Sequence, residues 1–212
     1  MTGLQAHWNG LAAALRLSEA AREDNWRLIE AAYSEPHRHY HTLTHIADIV
    51  TKFDALRGRF DRPDSVLLAL FFHDIVYDPT RQDNEAQSAG LLCERLPDIE
   101  RAVLDEACFC ILESKGHKAT GDADTDLFLD LDMSIVGAPW EDYLTYARGV
   151  ALEYLPVYGA EAYAAGRPAL FLEPTLNHAR IFLTEPFQSL ESRARSNLAA
   201  ERDLWRAAAF TV

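Results

Sequence analysis

The stretch SVLLALFFHDIVY, Ser65–Tyr77, is apolar almost all round, the pattern of a helix buried in the middle of a bundle. Its neighbours read the same way. Ile46, Ile49, Val50, Phe53 and Leu56 recur at intervals of three and four, which predicts an amphipathic helix from Thr42 to Gly58. Upstream, Leu4–Leu17 and Glu19–Tyr33 read as helices that stop before Pro36, with Ser18 as N-cap of the second. Downstream, helices are expected over Asn84–Arg95, with Asp83 as cap, over Asp98–Ser114, Asp122–Gly137 and Pro139–Val157. Three more helical pieces follow Pro168, divided by Pro174 and Pro186. No strand pair with a hairpin turn is present, and no repeat, linker or composition shift marks a boundary. The expectation is one all-α domain over residues 1–212.

Of 212 residues, 49% are hydrophobic and 25% charged, which suits a globular chain with a sizeable core rather than a disordered one. Against 33 acidic residues stand 20 Lys and Arg, a net charge of −13 that argues against binding a nucleic-acid polymer or an anionic membrane. No apolar run reaches membrane-spanning length, and MTGLQAHWNG lacks the features of a signal peptide, so a cytoplasmic location is expected. Cys93, Cys108 and Cys110 form no CxxC pair and imply no disulfide framework; all three are expected in or near helix cores. The motifs GxSxG, GxxxxGK[ST] and GxGxxG are absent. The acidic run Asp122, Asp124, Asp126 and Asp130 lacks the Gly and Glu of a calcium loop and reads as a helix N-terminus.

Chemistry concentrates at His73-Asp74. Burying an imidazole and a carboxylate at the end of so apolar a segment costs several kcal/mol unless both are satisfied, and a metal ion satisfies both. Neighbours on a helix point about 100° apart, so the pair needs ligands from other helices. His45 and Asp132 are the best candidates. Two imidazoles and two carboxylates suit a divalent ion such as manganese, cobalt, nickel, iron, zinc or magnesium.

In ligand types, order and helical context, this H…HD…D set resembles the HD-domain superfamily of metal-dependent phosphohydrolases. The strings HYHTLTHI (39–46), FFHDIVYDPTRQDNEAQSA (71–89), ILESKGHKA (111–119) and DLDMSIVG (130–137) are similar to a bacterial HD-type phosphohydrolase subfamily, as are GRPALFLEPTLNHARIFLTEPF and ESRARSNLAAE near the C-terminus. The resemblance spans about residues 20 to 205 and implies an HD-like helical bundle with His45, His73, Asp74 and Asp132 as metal ligands. It also implies acidic residues that orient or deprotonate a water, here Glu85 and, with capping as its other reading, Asp83. His117 takes the place of a middle histidine found in two-metal relatives, its other reading being an exposed loop residue. His41 is a second-site ligand or phosphate donor. Lys115, Lys118 and Arg38 flank the pocket in sequence and either neutralise a substrate phosphate or lie on the solvated surface.

The expected activity is hydrolysis of a phosphomonoester or phosphodiester of a nucleotide or other small molecule through a metal-activated water. A non-catalytic metal- or nucleotide-binding module is the alternative, and a di-iron oxygenase is a third reading. A homodimer face from the aromatic-rich C-terminal half stays open.

Overall fold

Residues 3–212 are described by a computed structural model, in which the regular structure is helical and, among the described residues, no strand occurs. Eleven α-helices run in chain order among them: α1 Gly3–Ala14, α2 Glu19–Ala32, α3 Leu43–Leu56, α4 Pro63–Phe72, α5 Asn84–Arg95, α6 Arg101–Glu113, α7 Ala123–Met133, α8 Trp140–Tyr158, α9 Ala160–Arg167, α10 Glu173–Asn177 and α11 Glu191–Arg206. The all-α expectation is met. The helices gather into two units, one comprising the chain up to Pro36 with His41–Leu131, the other His37–Tyr40 with Asp132–Val212.

In the first unit α4 is the central element, packed by α6, α3, α1 and α5. Every residue from Ser65 to Phe72 is buried, as an all-round apolar sequence requires. At roughly 1.5–3 kcal/mol for each large side chain, this burial holds the unit together. Trp8 of α1 sets its ring edge-on to Phe71 at 5.5 Å, and Tyr33 donates its hydroxyl to the Phe71 carbonyl at 3.1 Å. Local signals place the ends. Ser18 Oγ accepts from the Ala21 N–H and starts α2, while Thr42 Oγ1 accepts from the Thr44 N–H and starts α3. The acidic run does begin a helix: Asp122 Oδ1 accepts from the Thr125 N–H at 2.8 Å. Asp83 holds the N-cap position of α5, but its carboxylate binds Arg81 instead of capping.

Two expectations, one about α4 and one about the cysteines of α5 and α6, need correction. Helix α4 ends at Phe72, not Tyr77, so His73 and Asp74 lie in the turn beyond it. Apolar periodicity cannot detect a turn that stays buried, and here Ile75 and Tyr77 remain inside. Cys93 is exposed on α5, and Cys108 is half-buried; only Cys110 is in the core.

In the second unit α11 packs on Ser134–Gly137, the π-turn Pro168–Leu172, α10, α8 and α9. A Cβ on Gly137 would stand 2.7 Å from Leu190 Cβ, so glycine is needed there. Pro174 does not divide the tail as expected: it sits in the first turn of α10, where proline's missing N–H has no cost. The segment His37–Tyr40 lies on α8. Glu153 accepts the N–H groups of His39 and Tyr40, both at 2.7 Å, and Gly149 leaves room for Tyr40. Buried Arg167 and Glu201 pair at 2.9 Å, with Tyr146, Tyr143 and Trp205 completing their hydrogen bonds.

Candidate metal centre

Helix α3 begins at Leu43, so its capped first turn carries His45 inward, where the side chain is buried. His73 takes the C-cap position of α4, its N–H still donating to the Ala69 carbonyl at 2.8 Å. The helix then stops, and Asp74 follows in the turn beyond it. The His73 Nε2 and Asp74 Oδ2 atoms lie 3.0 Å apart. His45, His73 and Asp74 each offer one ligand atom within 4.8 Å of the others.

The tautomer of His73 follows from its surroundings. Nδ1 is 3.1 Å from the Leu70 carbonyl oxygen, which can only accept, so Nδ1 carries the proton. In the neutral ring Nε2 is then a lone pair, and it faces His45 Nε2 at 3.4 Å and the Asp74 carboxylate. A lone pair and a carboxylate facing each other in a buried place are satisfied by a proton or by a metal cation between them. Two ligands at the usual 2.0–2.1 Å from one ion, subtending 90–110°, stand about 2.8–3.4 Å apart. The observed separations of 3.0 and 3.4 Å fit that spacing. The carbonyl that holds Nδ1–H also fixes the ring orientation, as the outer partner of a metal-bound histidine does.

The cluster has an open side. His73 is 1% exposed, whereas the Asp74 side chain keeps 20% of its surface. His41 lies at that edge with Nε2 3.9 Å from Asp74 Oδ2, its ring 4.2 Å from the ring of buried Tyr77. On the inner side the Phe128 ring meets His73 edge-on at 6.1 Å.

The loop after Asp74 is tied to α5. Asn84 accepts the Asp78 N–H at 3.2 Å and donates to the Asp78 carbonyl at 2.9 Å, and Ser88 one turn later accepts the Val76 N–H at 3.1 Å. These two positioning residues were not singled out from sequence. The signal was there: polar residues four apart on α5 share one face.

The other expected residues fall in three places. Glu85, in the first turn of α5, pairs with Lys115 at 3.2 Å, and Lys115 Nζ also donates to the Gln82 carbonyl. Asp83 is engaged by Arg81 at 2.7 and 2.8 Å, which holds its carboxyl below the ordinary range. His117 closes α6 in the left-handed region with φ 44°, half-buried, and Lys118 is exposed. Arg38 and Asp132 belong to the second unit; Arg38 is buried, not solvated, and Asp132 is half-buried on the last turn of α7. The three-residue cluster is thus built entirely within the first unit. No protein-family model, curated protein or solved structure matches the chain.

Proposed function

We propose that the chain is a metal-dependent hydrolase of phosphoester bonds in a nucleotide or other small phosphorylated molecule. The observation that carries this reading is the convergence of His45, His73 and Asp74, and the HD-like order of those residues in sequence supports it. A divalent ion held there supplies Lewis acidity and lowers the pKa of a coordinated water toward neutrality. His73, fixed by Leu70, and His45 offer neutral nitrogens, and Asp74 brings the negative charge. His41, at the edge of the cluster, is proposed to donate to a phosphoryl oxygen. Glu85 is the proposed water-orienting acid, and Lys115, its ion-pair partner, supplies local positive charge for a phosphate in a chain of net charge −13. Asp83 is the weaker candidate for the acid, since Arg81 occupies its carboxylate.

The test uses protein stripped of metal and reloaded with manganese or cobalt. Turnover of phosphomonoesters or phosphodiesters from a broad nucleotide panel, lost in His73→Ala and strongly reduced in Glu85→Gln, is the expected result. Stoichiometric metal without turnover of any phosphoester overturns the hydrolase reading in favour of a binding module; two irons per chain with oxygen consumption would favour the oxygenase.

A further inference from the structure

Cys93 of α5 and Cys108 of α6 bring their sulfur atoms within 3.3 Å of each other. The pairs Cys93–Cys108 and Glu85–Lys115 join α5 to the chain of α6 in antiparallel order, eight residues apart along the first segment and seven along the second. Cys93 is exposed, Cys108 is half-buried, and Cys108 also contacts the Ala89 carbonyl at 3.6 Å. We infer that this pair is an oxidisable dithiol, a modification site at which a peroxide converts Cys93 and Cys108 into an intramolecular disulfide.

A disulfide bond length of about 2.05 Å requires each sulfur to move by only about 0.6 Å from its present place. Exposure sets the order of events. Burial, together with the hydrogen bond and charge of Cys93 and the charge of Asp105, pushes the Cys108 thiol up to about 12, so it stays protonated at neutral pH. Cys93, the accessible partner, reacts first. It loses its proton to solvent, its sulfur takes one oxygen from the peroxide, and the sulfenic acid and one water result. The Cys108 sulfur then attacks the Cys93 sulfur. Hydroxide leaves, combines with the proton of Cys108 as a second water, and the S–S bond forms. The dithiol has lost two electrons and the peroxide has gained two. Cys110, buried and hydrogen-bonded to Thr125 at 3.6 Å, takes no part.

The test treats the reduced, full-length protein with a small excess of hydrogen peroxide, blocks free thiols and digests with trypsin. The expected product is a dithiothreitol-sensitive link between the peptides Gln82–Arg95 and Ala102–Lys115, lighter than the reduced pair by two hydrogens. Cys110→Ser retains it, Cys108→Ser loses it, and the chain runs as a monomer on a non-reducing gel. The inference is overturned by over-oxidised Cys93 beside a free Cys108, by disulfide-linked dimers through Cys93, or by two thiols that stay free. None of these readouts depends on metal or hydrolysis.

Discussion

His45 and His73 face each other through their Nε2 atoms at 3.4 Å, and the Leu70 carbonyl decides which nitrogen of His73 is presented. Removing either ring should therefore break one site rather than two. His45→Ala and His73→Ala are each expected to lower manganese or cobalt affinity by more than about 100-fold, beyond what losing an outer partner costs. Equilibrium dialysis with metal analysis reads the effect, and far-ultraviolet circular dichroism checks the fold. Wild-type metal content in both variants would refute the cluster as a metal site.

Asn84 makes two hydrogen bonds to the backbone of Asp78, one as acceptor and one as donor. Asn84→Ala leaves an N–H and a carbonyl of the loop without that partner, at about 0.5–1.5 kcal/mol for each bond. Urea denaturation should show about 1–3 kcal/mol of lost stability. Because the loop follows Asp74 directly, the proposed phosphoester turnover should fall more than metal affinity does. Equal losses in both would show that Asn84 serves folding alone.

Much of this was written locally. The Ser18 and Thr42 caps, and the all-round apolarity of Val66–Phe72, act within a few residues, so periodicity and capping chemistry exposed them. The end of α4 was hidden because Ile75 and Tyr77 are buried whether the chain continues as helix or turns. Cys93 looked like core because cysteine is usually buried, but the register of α5 turns it outward. The bond from His39 to Glu153 spans 114 positions, and no local pattern announces it.

Gly149 lets the backbone of His39 and Tyr40 lie close on α8. A Cβ there would stand 3.0 Å from Tyr40 Cβ and 3.3 Å from the His39 carbonyl oxygen. Backbone cannot rotate away as a side chain can, so Gly149→Ala should cost about 1–3 kcal/mol despite alanine's better helix propensity. A thermal midpoint equal to or above that of the parent chain would show that the segment yields.

The Tyr163 hydroxyl is buried with no hydrogen-bond partner among the described residues. A buried, unsatisfied donor is a liability that phenylalanine removes without altering shape. Tyr163→Phe is therefore expected to match the parent or gain up to about 1–3 kcal/mol in chemical denaturation. A clear loss would mean that the hydroxyl finds a partner in solution.

Glu201 accepts from Arg167, Tyr143 and Trp205 while fully buried. Burial pushes its carboxyl upward, but the Arg167 charge and the hydrogen bonds outweigh that and leave it below the ordinary value. A depressed carboxyl contributes stability that is complete above its unfolded pKa and is lost as pH falls through the folded one. Glu201→Gln leaves Arg167 buried without its counter-charge, for a loss of about 3–5 kcal/mol at neutral pH. In thermal scans this should appear as a midpoint lowered by about 10 °C. The gap between parent and variant should narrow as pH falls through the depressed folded value of this carboxyl, where the parent protonates it. A gap that stays constant across that range would place the stabilisation in packing rather than in the ion pair.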